Sequence, residues 1–428
     1  MGVGRTRRPS NGHRGVPSGL QSMDGAPGAA AGRKPRGPVV ATDRRDAVTA
    51  PPQGVASQVD VSRAVHEALS AYTTARTHAA RRYGPEFVQL WAIASQKMLG
   101  GKFVRPILLV EVASAFGRER GQVRHELDDG RADRAVIDAA AAVELLHFAF
   151  VLHDDVIDGD LVRRGQPNLV GAVVAKHPSQ RRAGSRFLPN SDRRSTAMHW
   201  GTSSAILMGD LVLSGVYQSF AMLDVPATTR RRLFDLLGHT IDETVAGEFA
   251  DVGLGDGCLE PDLATILEMS ANKTATYTFE FPLRIAAILS GADRGVEESL
   301  AQAGRHLGLA FQLQDDLLSV FGDPHRHGKD ANSDLREGKQ TALIAYARMT
   351  NAWTEVEPLL GRADLIAAEA DNVRSLLDAC GARAFVEGLI EDSLASFRDV
   401  CNDAGTGIPA EVRSVLVETA TQLASRQS

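Results

Sequence analysis

Residues 135–152 read AVIDAAAAVELLHFAFVL, and HDDVIDGDLVRRG follows over 153–165. A helix that is apolar on almost every side has no solvent face, so it must sit inside a fold with other elements around it. Four carboxylates crowd into the seven residues 154–160 at its end, and two arginines come directly after. Like charges this close repel one another unless a cation stands among them.

The rest of the chain supplies partners of the same kind. From about residue 58 the apolar spacing is helical. DVSRAVHEALSAYTTARTHAARR places Val61, Val65 and Leu69 four apart, with Asp60 or Ser62 as an expected N-cap. ATTRRRLFDLLGHTIDETVAGEFADV behaves alike, as does LATILEMSANKTATYTFEFPLRIAAIL, where Pro282 is expected to kink or end the helix. Alternating strand patterns are nearly absent. The expectation is an all-α domain over 58–428 with ten or more helices. Residues 177–196, with five arginines and two prolines, read as a long, disordered surface loop.

Residues 1–57 carry nine Arg or Lys against three Asp, a net +6 that leaves −12 on the remainder. Rich in Gly, Pro, Ala and Arg, this stretch reads as a disordered basic extension, with Met23 as an internal start and no nucleic-acid partner expected. Cys258, Cys380 and Cys401 are widely spaced and form no metal pattern, as in a protein with reduced thiols. No uninterrupted run reaches the roughly 18 apolar residues of a membrane span, since Asp138, Glu144 and His147 break the most apolar one. No transmembrane segment is expected, no signal peptide is visible, and the expected compartment is the cytoplasm.

Asp154 and Asp158 lie four apart and project together from the helix, with Asp155 about 100° round the axis. Hard oxygen donors at a buried helix end suit Mg²⁺, which keeps several waters and is bridged by few carboxylates plus substrate phosphates. A solvated acidic helix end gives the same pattern. A second pair, Asp315 and Asp316 in FQLQDD, closes another apolar helix. Two such ends facing each other would hold several Mg²⁺ around a diphosphate. Lysine is scarce, seven against 40 Arg, yet Lys102, Lys273, Lys329 and Lys339 all stand in short polar motifs, where each can serve as a point-charge phosphate binder. VGLGDG lacks the spacing and preceding strand of a dinucleotide site and reads as a turn.

GGKFVRP, ELLHFAFVLHDDVIDGDLVRRG, NKT, FQLQDD and GKDANSDLREGKQTALI stand in the order of the trans-isoprenyl diphosphate synthases, and the chain resembles that family, closest to bacterial geranylgeranyl and farnesyl diphosphate synthases. The resemblance implies an isoprenoid synthase helical bundle around a deep central cavity, a likeness that covers residues 100–345 by motif. It implies that Asp154, Asp155 and Asp158 hold Mg²⁺ on an allylic diphosphate, with Asp315 and Asp316 holding a further ion. Arg163, Lys273, Thr274, Gln312, Lys329 and Lys339 would bind that diphosphate. Lys102, Arg105, His147 and Arg164 would bind isopentenyl diphosphate. The implied reaction ionises the allylic substrate (dimethylallyl, geranyl or farnesyl diphosphate), adds isopentenyl diphosphate and loses a proton, within a homodimer. His153 would be a hydrogen-bonded neighbour of the acidic cluster.

Product length follows from depth below Asp154, where Ala149 leaves room and Phe150 partly floors the cavity. Twenty carbons are expected, with a farnesyl or longer product as the alternative. The second motif departs from the pattern: DDLLS puts Ser319 where the third aspartate usually falls. That departure keeps open a non-catalytic partner subunit of a heteromeric synthase. A class I terpene cyclase shares the first motif but has no use for the GGKFVRP pocket.

Overall fold

In the computed structural model, residues 58–119, 131–177, 190–322 and 332–424 are described. The chain divides into two units, Met1–Gln53 and Gly54–Ser428. The first, with the basic extension, lies outside the described residues, as do 178–189 and 323–331.

The described residues of the second unit are helical almost throughout. Its helices are α1 (Gln58–Ala80), α2 (Pro85–Met98), α3 (Val104–Glu119), α4 (Arg131–Ile157), α5 (Leu169–Lys176), α6 (Asn190–Ala221), α7 (Ala227–Gly255) and α8 (Leu263–Ser270). A π-helical segment, Ala271–Glu280, runs on into α9 (Phe281–Leu289) and is followed by α10 (Arg294–Phe321). Then come α11 (Ser333–Glu337), α12 (Ala342–Arg348), α13 (Trp353–Val356), α14 (Ala367–Ala379), α15 (Ala382–Asn402) and α16 (Ala410–Ala424). Among the described residues the one sheet is a hairpin, β1 (Val162–Arg163) with β2 (Gln166–Pro167), antiparallel with Arg163 opposite Gln166.

The apolar helix is central, as its composition demands. α4 packs most heavily on α6 and also on α1, α3 and α9. Leu145, Leu146, Leu152, Phe220, Phe279 and Phe281 are fully enclosed around it. Each such side chain contributes about 1.5–3 kcal/mol relative to exposure. By length and composition alone α4 would be apolar enough to cross a membrane over Arg134–Ile157. Its most apolar 18-residue window is 67% buried inside the fold, as for the core helix its sequence implies.

Val61, Val65 and Leu69 are buried, as their spacing requires. The N-cap expectation fails: α1 already begins at Gln58, so Asp60 lies in its first turn and pairs with Arg63 at 3.1 Å. The loop expectation at 177–196 also needs correction, because α6 starts at Asn190. Pro189 precedes that start, and Asn, Ser and Asp follow, residue types that favour helix beginnings. Pro282 stands in the first turn of α9, directly after the π segment, and so marks a change of helix type.

Candidate active site

Within buried α4, residues His147, Phe150, Val151 and Asp154 are only partly buried. Their spacing of three and four puts them on one face. Lys273, Thr274 and Tyr277 of the π segment, and Phe311, Gln312 and Asp315 of α10, are partly open in the same way. These strips meet one another: Tyr277 of the π segment contacts His147 and Phe150 of α4, and Phe279 contacts Phe311 of α10.

The first acidic end is bound to the hairpin that follows it. Arg163 Nη2 donates to Asp154 Oδ2 at 2.8 Å, and its Nε donates to the buried Asp155 Oδ1 at 2.7 Å. Arg164 and Gly165 form the two-residue turn, with φ of 55° and 69°. Both positive values are what a type I′ turn needs to match the strand twist. Asn168 secures the hairpin: its Nδ2 donates to the Asp160 carbonyl at 2.7 Å, and its Oδ1 accepts from Gly171 N at the start of α5.

Lys273 gathers three carboxylates. Its Nζ lies 2.6 Å from Asp251 Oδ2, 2.9 Å from Glu248 Oε2 and 3.4 Å from Asp154 Oδ1. Gly247 permits this approach, since a Cβ there would come 2.3 Å from Lys273 N. Burial alone would lower the ammonium's pKa, but Asp251, Asp154 and Glu248 overcome it and hold it well above the usual range. Asp158, just past the end of α4, is pushed up to about 7 by desolvation and then by Asp154, with Glu248 and Asp251 adding to the effect and Lys273 opposing it.

The second acidic end lies on α10. Asp316 is buried, accepts from Gln312 Nε2 at 2.9 Å, and has Lys339 Nζ at 3.7 Å. Burial raises it to about 6 against the pull of Lys339. Asp315 is half-buried. Lys339 is itself held above the usual range: burial lowers it, and Asp316, Asp334 and Asp251 more than compensate, with Lys273 opposing. Asp251 therefore acts on both lysines. Arg163, Asp154, Lys273 and Asp251 form one row of alternating charge, and the field of Asp251 reaches Lys339, which stands beside Asp316.

Beside this row lies an arginine pocket. Arg105 Nη2 donates to Thr278 Oγ1 at 2.9 Å, and its guanidinium lies 4.6 Å from the centre of the Tyr277 ring. His147 stacks on the same ring at 5.9 Å, and Phe150 meets it edge-on at 5.3 Å. Burial, then Arg105, Arg164 and Arg163, hold His147 well below its usual pKa, so the imidazole is neutral at pH 7. Arg105 Nε, His147 Nδ1 and Glu144 Oε2 are buried without a hydrogen-bond partner. Phe103, between exposed Lys102 and Arg105, has φ of 50°. A bulky residue in that region costs about 1–3 kcal/mol, strain of a kind that gathers at functional sites.

Several expected residues thus meet: Asp154, Asp155, Asp158, Arg163 and Lys273 in one cluster, Gln312, Asp316 and Lys339 in another, and Arg105, His147 and Arg164 in the pocket. Thr274 follows Lys273 and is half-buried, and Ala149 is fully buried. Lys329 lies outside the described residues. His153 turns toward α6, with Nε2 3.3 Å from Asp210 Oδ1 and its ring over Gly209. Glu248, Asp251, Asp334, Tyr277, Thr278 and Glu144 were not anticipated. Glu248 and Asp251 looked like the polar face of an amphipathic helix, and their spacing of three beside Gly247 was the available signal.

Among the described residues no three His, Cys, Asp or Glu side chains form a ready metal cage. The carboxylates are instead spread along the row and neutralised by Arg163, Lys273 and Lys339. Such a donor set fits Mg²⁺ that arrives with a diphosphate and keeps most of its waters.

A helical bundle in which carboxylates at two helix ends alternate with Lys273 and Lys339, beside Arg105 and Arg163, has the charge pattern that suits a diphosphate carrying divalent ions. The Polyprenyl synthetase family profile matches residues 88–377. The chain belongs to that family, the trans-isoprenyl diphosphate synthases, and is a trans-prenyltransferase. It is 28% identical over 290 residues to a geranylgeranyl diphosphate synthase of Methanosarcina mazei, covering 68% of this chain and 76% of that protein. It is 28% identical over 338 residues to a (2E,6E)-farnesyl diphosphate synthase of Mycobacterium tuberculosis, covering 77% of this chain and 80% of the relative. Geranylgeranyl pyrophosphate synthase from Corynebacterium glutamicum, solved with isoprenyl diphosphate and magnesium, superposes with a TM-score of 0.73 at 28% identity, covering 86% of this chain and 98% of that one.

Proposed function

We propose that this chain condenses isopentenyl diphosphate with an allylic diphosphate to give an all-trans prenyl diphosphate, with geranylgeranyl diphosphate as the main product. The observation that carries this reading is the row of alternating charge in which Lys273 bridges Asp154 and Asp251, with Lys339 beside Asp316 and under the electrostatic influence of Asp251. Asp154, Asp155 and Asp158 on one side and Asp315 and Asp316 on the other would hold Mg²⁺. When bound, the metal neutralises diphosphate charge as the allylic C–O bond breaks.

The side chains supply the remaining work. Arg163, Lys273 and Lys339 are fixed by carboxylates before substrate arrives, so they present positive charge to the departing diphosphate with little reorganisation. Lys102, Arg105 and Arg164 hold the diphosphate of isopentenyl diphosphate, and Tyr277 and Thr278 fix the angle of Arg105. Neutral His147 can donate or accept a hydrogen bond there without adding charge. The apolar walls around Phe150 and Phe311 exclude water from the allylic cation. The double bond of isopentenyl diphosphate attacks that cation, and the released diphosphate is the base that takes the proton.

A second copy of the chain is the proposed partner. Trp200, Leu207 and Leu211 of α6 and Val245, Phe249 and Val252 of α7 are exposed, Phe249 at 75%, and each trio follows one helix face. Large apolar faces of this kind mark protein interfaces.

The test is incubation of the purified chain with isopentenyl diphosphate, Mg²⁺ and each of dimethylallyl, geranyl and farnesyl diphosphate, followed by chromatography of the dephosphorylated products. A dominant twenty-carbon alcohol is expected. A dominant fifteen-carbon product would overturn the chain length. No elongation by the chain alone would favour the partner-subunit alternative.

A further inference from the structure

A second chain of ion pairs, sharing no residue with the row at Lys273, runs along the π segment. Thr276 Oγ1 donates to Glu243 Oε2 of α7 at 3.0 Å and lies 3.3 Å from the Ala271 carbonyl oxygen, five residues back. The same Oε2 accepts from Arg305 Nη2 of α10 at 3.0 Å. Arg305 Nε lies 3.5 Å from Oε2 of buried Glu280, the last residue of the segment. Glu280 Oε1 accepts from Arg284 Nη1 of α9 at 2.9 Å, and Arg284 Nη2 donates to Glu297 Oε1 of α10 at 3.1 Å. Arg232 Nη2 of α7 donates to Glu297 Oε2 at 2.5 Å, so the chain begins and returns at α7. We propose that this chain holds the segment at its π offset, and that Glu243 and Arg305 are positioning residues for Lys273 and Tyr277.

π geometry is rare and usually confined to a single turn, yet this segment keeps it over 10 residues, so its surroundings must hold it. A return to the α offset would turn its residues about the axis. It would swing Lys273 away from Asp154, now 3.4 Å off, and Tyr277 away from the Arg105 guanidinium, now 4.6 Å from the ring centre. Two glycines of α10 bring its backbone against the segment: a Cβ at Gly304 would lie 2.7 Å from Glu280 Cα, and one at Gly308 2.5 Å from Ala275 Cα. Such contacts set the distance between the two elements but not the rotation of the segment. Directional hydrogen bonds to Thr276 and Glu280 set the rotation, and they are charge-assisted, the stronger kind. Glu280 and Glu297 are buried, so slippage that strips either of a partner leaves a desolvated charge unpaired, which is costly. The assignment rests on the diphosphate reading of the site, and one arm of its test does not need the prenyl reaction.

Thr276→Val, Glu243→Gln, Arg305→Met and Arg305→Lys are compared with wild type in steady-state turnover, in calorimetric titration with inorganic pyrophosphate and Mg²⁺, and in thermal melts. Turnover and titrations are run well below each melting midpoint. The first three variants are expected to lower kcat by about 10–100-fold, the order that a displacement of about 1 Å costs. Tyr277 lies between Thr276 and Glu280, so KM for isopentenyl diphosphate should rise about fivefold as its hold on Arg105 loosens. Pyrophosphate binding should weaken about tenfold as Lys273 turns away. Arg305→Lys keeps a positive charge between Glu243 and Glu280 and should stay within about fivefold of wild type in each measurement, the cost of losing the guanidinium fork. A lower melting temperature with wild-type kcat, KM and pyrophosphate affinity would assign the chain to stability alone and overturn the proposal. Arg305→Lys no better than Arg305→Met would also overturn it. Thr276→Val removes no charge and keeps the side-chain shape, so it reads the role of the chain even if Arg305→Met fails to fold. A wild-type chain that binds pyrophosphate but makes no prenyl product would sink the proposed reaction, and the titrations would still decide the role of Glu243 and Arg305.

Discussion

Arg164 occupies a turn position that favours Asn or Gly, and it holds φ of 55° there without the local hydrogen bonding those residues use. The strain is compensated if the guanidinium is needed for substrate. Arg164→Asn should therefore leave the melting temperature unchanged or raise it slightly. It should raise the KM for isopentenyl diphosphate about tenfold or more, the loss of a charged hydrogen bond, with kcat little affected. A fall in stability with KM unchanged would assign Arg164 to the fold alone. Ala149 is fully enclosed one turn below Asp154, so Ala149→Phe forces a ring into a packed position at about 1–3 kcal/mol. A shorter main product is expected, with a lower melting temperature. Unchanged product length would place the floor elsewhere. The acidic and basic residues of the site were legible because charge at the end of an apolar helix is conspicuous. Glu248 and Asp251 were not, because a carboxylate on an amphipathic helix looks the same whether it faces water or a buried lysine.

At the scale of elements, the π segment decides where the chemistry points. It carries Lys273, Thr274, Tyr277 and Thr278, and it rests on α7 through the backbone-to-backbone approach at Gly247. A methyl group there meets main-chain atoms that have no rotamer with which to move away. Gly247→Ala should lower stability by about 1–3 kcal/mol. Because the displaced residue is Lys273, kcat should fall more than tenfold while KM for isopentenyl diphosphate stays near wild type, a split that steady-state kinetics and a thermal melt can read. Loss of stability with intact kcat would mean that the segment tolerates the shift. The helices α1, α4, α7 and α10 were legible from apolar spacing alone. The π geometry was not, since it alters the hydrogen-bond offset while leaving nearly the same residues apolar. The start of α6 at Asn190 was hidden behind arginines and prolines that resemble a loop.

For the whole molecule, the acidic row links stability to pH. Asp158 titrates near 7 and Asp316 near 6 in the fold, both above the ordinary aspartate value of 3.8. The folded protein therefore binds more protons than the unfolded chain between about pH 4 and 7, and their contribution to stability falls as pH rises through that window. Asp158→Asn should melt close to wild type at or below about pH 4 and increasingly above it up to pH 8, in metal-free buffer. The opposite order at pH 8 would mean that Asp158 is stabilised as a carboxylate. The exposed face of α6 and α7 carries the second prediction at this scale. Phe249→Glu should convert a dimer to a monomer in sedimentation at micromolar concentration, since a buried unpaired charge at an interface is costly. A wild-type chain that sediments as a monomer would leave that face without the proposed partner.

The sequence by itself determined that the chain is helical, that one helix lies at the centre, and that two helices end in acidic pairs with lysines and arginines in short polar motifs around them. These follow from periodicity, burial and charge, which are local properties of a chain. Only the tertiary structure decided that Lys273 and Lys339 stand between the acidic ends, that Asp251 serves both, and that Asp334 reaches Ser319 from another helix. Those pairings join residues distant in sequence, and the free energy of a charge in a fold depends on which neighbours share its desolvated space.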